Sequence, residues 1–270
     1  MPITSPIIAE IAKNTYLIQE NGAFCFYALV REGGNALIDT GMGTCHLNSL
    51  TRRIFGGDPF RIYLTHGHPD HVGGLHCIPG GRAYIHPADR KLAEGVQEKM
   101  RADMASHRHP GFAVPTLPEW ADAQFDAQMP ESQGLEMVYI GGHTPGSVAY
   151  IDRETGIAFV GDAVGGEIHA ESTVSELLTG LMRLKRRGGF RRIYAGHHPL
   201  GDYRAYPVSM LEDAIGACRA ALDPTAKAYA AESRWRTCDR AVQYGSVHLS
   251  YCADQLWAAG ECHSPFPLGL

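Results

Sequence analysis

Short apolar runs broken by Asn-Gly, Gly-Gly and Pro set the pattern of the first 65 positions. Residues 16–18, 24–30 and 36–39 read as successive strands, with Asn21-Gly22 and Gly33-Gly34 as the breaks between them. Residues 48–55 then predict a first covering helix. Further along, 60–64 predicts a strand, Val72 onward a short helix, 83–85 a strand, and 89–105 a helix rich in Ala, Glu, Lys and Met. In the second half, 135–140, 147–151 and 157–160 are strand-like, 173–186 is helix-like, and 192–195 is a last buried strand. Periodicity alone establishes mixed α and β, with no internal repeat.

Two segments fall outside this alternation. Residues 106–134 are rich in Pro, His and acidic side chains, with His107, His109, Trp120 and Phe125 among them. A loop this long inside a compact domain is usually functional, and we read it as a substrate-lid insertion. The C-terminal extension, 207–270, has a helical stretch over 209–233 broken at Pro224 and a mixed stretch over 239–257. Its expected role is packing or a homodimer surface.

Composition narrows the picture. At 270 residues and 44% hydrophobic, the chain can bury a large core, and nothing in it demands a second domain. A net charge of −5 argues against a nucleic-acid partner, which usually goes with a basic excess. The start Met1-Pro2-Ile3-Thr4 lacks the basic region and apolar core of a signal peptide, and no apolar run approaches the ~20 residues of a membrane span. A cytoplasmic protein with no membrane partner is expected. The seven cysteines, at positions 25, 45, 77, 218, 238, 252 and 262, are too scattered for a C-x-x-C site and odd in number, which suits free thiols. Cys25, inside an apolar run, reads as a core residue.

The candidate chemistry is concentrated in Thr65-His66-Gly67-His68-Pro69-Asp70-His71, which places three imidazoles and a carboxylate within six residues after an apolar stretch. Alternate residues of an extended strand end point the same way. His66 and His68 can therefore grip one ion while Asp70 and His71, past the bend, face another. Three later positions repeat the theme at strand exits beside glycine: His143 in Gly141-Gly142-His143-Thr144-Pro145-Gly146-Ser147, Asp162 after Gly161, and His197 after Gly196. His198 diverges from its neighbour along an extended segment and is read as structural. His46, His76, His86, His169, His248 and His263 have no partners at ligand spacing. The basic run Arg183 to Arg187 suits a helix C-terminus before Gly188-Gly189.

The ordered set His-x-His-x-Asp-His, His, Asp and His resembles the metallo-β-lactamase superfamily, and Leu37-Ile38-Asp39-Thr40-Gly41 resembles its preceding aspartate motif. The resemblance runs over residues 10–200 with all five motifs intact. It implies an α/β fold of four αββα layers, with metals along one edge between the sheets. By the family pattern, His66, His68 and His143 would bind a first ion, Asp70, His71 and His197 a second, and Asp162 would bridge them. These donors suit two zinc ions and also accommodate iron or manganese. Two ions ~3.5–4 Å apart can share a water, lower its pKa towards ~7 and present hydroxide as nucleophile. Asp70 would shuttle a proton, and Asp39 would orient a ligand imidazole.

Among family branches, the ligand set best resembles the glyoxalase II-like one, which hydrolyses thioesters of small acids. Lactone-opening members place a tyrosine shortly after the bridging aspartate, where this chain has Ala163-Val164-Gly165-Gly166. The common secreted β-lactamases carry a cysteine where this chain has Asp162. The expectation is a binuclear hydrolase of a small thioester or ester. The alternatives are a mononuclear iron, sulfur dioxygenase-like oxidoreductase using His68 or a neighbour, His143 and Asp162, or a lactonase.

Overall fold

The structure is a computed structural model and describes residues 5–78, 80–105, 124–126, 128–129, 134–231 and 238–259. The expected lid therefore lies outside the described residues except for 124–126, 128–129 and 134, and so does His263.

Seven strands form the first sheet, in the order of the sequence: β1 (Ile7–Ala12), β2 (Thr15–Glu20), β3 (Phe24–Leu29), β4 (Asn35–Ile38), β5 (Phe60–Tyr63), β6 (Arg82–Tyr84) and β7 (Gln124–Asp126). The first four run as an antiparallel meander, and β4 to β7 are parallel. Parallel neighbours need crossovers. Here these include α1 (Leu47–Phe55) before β5, α2 (Pro69–Val72) before β6 and α3 (Arg90–Ala105) before β7. Helix α1 buries Leu47, Leu50, Thr51 and Phe55, one face of a 3.6-residue repeat, and ends at Gly56 in the left-handed conformation.

The second sheet has the order β12 (Arg192–Tyr194), β10 (Ile157–Phe159), β9 (Val148–Asp152), β8 (Leu135–Tyr139). Between β10 and β12 the chain runs through β11 (Glu167–Ala170) and α4 (Val174–Arg187). After β12 come α5 (Ser209–Leu222), β13 (Tyr229–Ala230), β14 (Arg240–Tyr244) and β15 (Val247–Tyr251). These last three strands join β11 in a third sheet, with β11 and β15 parallel. Among its described residues the tail is thus less helical than its composition suggests: only Ser209–Leu222 is α-helical there, and 240–251 is a hairpin.

Period-2 alternation separates the layers. On β2, Ile18 faces α1 and α3 together with Phe26, Leu37, Leu47 and Ala93, while Leu17 faces the second sheet together with Tyr27, Tyr150, Phe159 and Tyr194. The far side of the second sheet, through Ile151, Ala158 and Ile193, packs on Leu177 and Leu181 of α4 and Leu211 and Ile215 of α5. Helix, sheet, sheet, helix is the αββα order, and α5 also packs on β14 and β15. Thr173 caps α4 by accepting the Glu176 N–H at 3.3 Å, and its hydroxyl donates to the Glu176 carboxylate at 2.9 Å. Gly180 lets α4 lie directly on the segment leading to His143, because a Cβ there would stand 2.0 Å from the Ile140 carbonyl oxygen. No helix among the described residues is long and apolar enough to cross a membrane.

Candidate metal centre

Five strands deliver the predicted site. In the first sheet β4 and β5 run parallel, and their C-terminal ends lead to Asp39 and to the loop 65–71. In the second, β10 and β12 are parallel and both β8 and β10 oppose β9, so His143, Asp162 and His197 also follow C-terminal ends on one edge. Backbone hydrogen bonds stitch the two sheets there, from Cys25 N–H to Gly196 O at 2.8 Å and from Val148 N–H to Thr65 O at 2.9 Å.

The seven predicted donors come together as two groups that share Asp162: His66, His68, His143 and Asp162, and Asp70, His71, Asp162 and His197. In the first, His66 Nε2 lies 2.9 Å from His68 Nδ1 and 3.2 Å from His143 Nε2, with 3.1 Å closing the triangle. Asp162 Oδ2 stands 3.8 and 3.7 Å from His66 and His143. A tetrahedral shell with bonds of ~2.0–2.2 Å sets its donors about 3.3–3.6 Å apart, which these separations bracket.

The outward nitrogens of these rings settle which inward atoms carry lone pairs. His66 Nδ1 is 3.1 Å from Thr65 Oγ1, His143 Nδ1 donates to the His169 carbonyl at 2.7 Å, and His68 Nε2 donates to Glu171 Oε2 at 3.0 Å. With the ring protons placed outward, three inward nitrogens face one another as acceptors. A cation is what such a convergence fits.

In the second group His71 Nε2 lies 3.3 Å from Asp162 Oδ1 and 3.7 Å from Asp70 Oδ2, and His197 Nε2 lies 3.1 Å from Asp70 Oδ2 and 3.2 Å from Asp162 Oδ2. His71 Nε2 and Asp162 Oδ1 are buried without a hydrogen bond among the described residues. Buried polar atoms are seldom left so, and a cation bound between these two would satisfy both. Asp39 holds the other side of His71, accepting from its Nδ1–H at 2.8 Å and from Thr65 N–H and Oγ1–H at 2.7 and 2.8 Å. Its φ of 61° is the left-handed conformation that aspartate tolerates better than most residues. Asp39→Ala is expected to lower metal affinity at the group containing His71 by ~10–100-fold. Competition against a chelator measures this, and unchanged affinity would leave Asp39 a folding role only.

The family model described as the metallo-beta-lactamase superfamily matches residues 14–229. The chain belongs to that superfamily. It is 30% identical over 171 residues to a hydroxyacylglutathione hydrolase of Maricaulis maris, covering 61% of this chain and 57% of that protein. Over 142 residues it is 26% identical to a hydroxyacylglutathione hydrolase of Shewanella baltica, covering 50% and 46%. The chain spans about half the length of the curated relatives it matches. Among solved structures, a metallo-beta-lactamase from Erythrobacter litoralis aligns with a TM-score of 0.56 at 18% identity, over 81% of this chain and 98% of that one. TTHA1623, solved in a di-iron-bound form, aligns with a TM-score of 0.50 at 26% identity, over 77% and 96%.

Within this superfamily fold the electrostatics are those of a cluster of anions and imidazoles. Burial opposes ionisation throughout, yet Asp162, Asp39 and Asp70 outweigh it and hold His71 well above the usual histidine range. At His197 burial is likewise outweighed by Asp162 and Asp70, which lift it to about 10. His66 goes the other way, held well below the usual range by burial and then by His71 and His143. Burial would raise Asp162, but His197 and His71 hold it well below the usual carboxylate range, and Asp70 is lowered mainly by His71 and His197 against its own burial. A cation entering the second group at neutral pH must therefore displace protons from His71 and His197.

Residues set aside in the sequence find ordinary places. His198 is buried, accepts the Ala195 N–H at 3.3 Å and stacks on Tyr206, with burial pushing it down to about 4. Cys25 is a buried thiol pushed up to about 12 by burial, and Tyr194 is buried in β12. Arg187 pairs with Glu136, and Lys185 with Glu212. Sequence reasoning misses Thr65, Glu171 and the His169 carbonyl, the partners of the outward ring nitrogens. Glu171 and His169 come from a segment about a hundred residues beyond His68 and carry no motif.

Proposed function

We propose that this protein is a metal-dependent hydrolase that holds two divalent ions and cleaves a small-molecule thioester. The observation that carries the reading is the convergence of seven donors into two groups sharing Asp162. His66, His68 and His143 would hold one ion, Asp70, His71 and His197 the other, and Asp162 both. Zinc suits this nitrogen and oxygen set, and iron or manganese is accommodated. When bound, such ions supply Lewis acidity and bring the pKa of a water towards ~7.

The chain's own residues prepare the site for this. Thr65, Glu171 and the His169 carbonyl orient the first group's rings, and Asp39 orients His71. Asp70 is partly exposed, and its carboxylate can take a proton from the attacking water and pass it to solvent or to the departing group. An amine leaving group must be protonated as it departs. A thiol of pKa ~8.5 departs as thiolate with little such help, which favours thioester over amide cleavage. The hydroxyacylglutathione hydrolases that the chain resembles point to the same bond class.

Purified metal-loaded protein is expected to hydrolyse a hydroxyacylglutathione faster than the matching oxygen ester, a lactone or a β-lactam, with chelator abolishing turnover. Inactivity on every thioester together with β-lactam or lactone cleavage would overturn the substrate class. Oxygen uptake with a persulfide and no hydrolysis would make the protein an oxidoreductase.

A further inference from the structure

Asp89 is a fully buried carboxylate that the chemistry above does not use. It ends the 3-10 turn Pro87–Asp89 after β6, directly before α3. An aspartate at such a place ordinarily caps the helix. Here both oxygens are instead engaged by the two metal-site loops. Oδ2 accepts the Gly67 N–H at 2.9 Å and the Thr144 hydroxyl at 2.6 Å, and Oδ1 accepts the Gly146 N–H at 2.6 Å. Gly67 lies between His66 and His68, and Thr144 follows His143. One carboxylate thus ties together, each within a residue or three, the backbone segments that supply three of the first group's four donors.

The loops are shaped around it. A Cβ at Gly146 would stand 2.6 Å from Asp89 Cγ, so that glycine lets the 141–147 loop close onto the carboxylate. Ser147 continues the chain of bonds, 2.8 Å from the Thr144 hydroxyl and accepting the Thr144 N–H at 3.0 Å. The second group has no bond to Asp89: its loop residues are held through Asp39 and through Thr40, which donates to the His71 carbonyl.

We propose that Asp89 is a positioning residue that fixes the separation of the two loops and thereby sets the metal affinity of the His66, His68, His143 group selectively. This rests on the reading of that group as a metal site. The distinguishing consequence is site selectivity, since a merely structural carboxylate would weaken both groups or neither.

The test is a cobalt(II) titration of the full-length metal-free protein, following the ligand-field bands of each binding step against a competing chelator. His197→Ala, which lacks a donor of the second group, identifies the step belonging to the first. Asp89→Asn keeps the shape but turns an amide N–H₂ towards donors. It is expected to weaken the first group's step by ~10–100-fold while leaving the second within about twofold. Thr144→Val removes a single bond and is expected to weaken the same step by roughly 3–10-fold, which keeps the test open should Asp89→Asn fold poorly. Equal weakening of both steps, or a lowered melting temperature with unchanged affinities in Thr144→Val, would overturn the assignment. Absence of any cobalt binding by the parent protein would instead count against the metal reading itself.

Discussion

Asp162→Ala is expected to give a folded protein that retains neither ion tightly and loses thioester turnover by ~10³-fold or more. Among the described residues no other belongs to both donor groups. Its Oδ2 faces His66, His143 and His197, and its Oδ1 faces His71. Removing any single histidine would subtract a donor from one group. Removing Asp162 subtracts one from each and also takes away the largest favourable charge acting on His71 and His197. The fold should survive, because Asp39 still holds His71 and the sheets remain joined through the Cys25 to Gly196 and Val148 to Thr65 hydrogen bonds. Circular dichroism, metal content and turnover measured on one preparation separate these outcomes. A variant that keeps both ions and its activity would remove Asp162 from the shared position.

Gly196→Ala should damage the site from the backbone side. A Cβ there would lie 2.4 Å from both Asp162 Oδ1 and His71 Cε1, and neither neighbour can retreat freely. His71 is pinned by Asp39 on one side, and Asp162 is hemmed in by the rings of His66, His143 and His197. Forcing a methyl into such a contact typically costs about 1–3 kcal/mol. Displaced donors are expected to lower metal affinity at the second group by at least ~10-fold. Gly166→Ala is the control: it is exposed, with nothing within 4 Å of its Cβ position, and should match the parent protein. Thermal melts and chelator competition on the three proteins check this. Parent-like metal affinity in Gly196→Ala would mean that the loop relaxes and that the close approach is not required.

The seven candidate donors that the structure brings together are legible in the sequence because each stands at a strand exit beside a glycine or within one short loop, and strand ends position side chains with little help from elsewhere. Most strands of the two main sheets are legible for a related reason, since Leu17 and Ile18 or Tyr27 and Ala28 bury both faces and leave unbroken apolar runs; the half-buried β1 and β7, which falls inside the segment read as a lid, are not. What supports the donors is not legible. Glu171 reaches His68, and Asp89 reaches Thr144 and Gly146, across long sequence separations, and nothing local marks either carboxylate as buried or bonded. The third sheet escapes for a similar reason: β11 has four residues and pairs with β15 about eighty residues later. The helical composition of the tail continues past Leu222, but the chain leaves the helix there, just before Pro224, whose ring cannot continue it.

The most direct test of the account is the metal-to-chain ratio of protein purified without added metal, measured beside its thioesterase activity. The account predicts close to two zinc, iron or manganese ions per chain with turnover, falling together in Asp162→Ala. A single iron per chain, with oxygen uptake and no thioester hydrolysis, would contradict it.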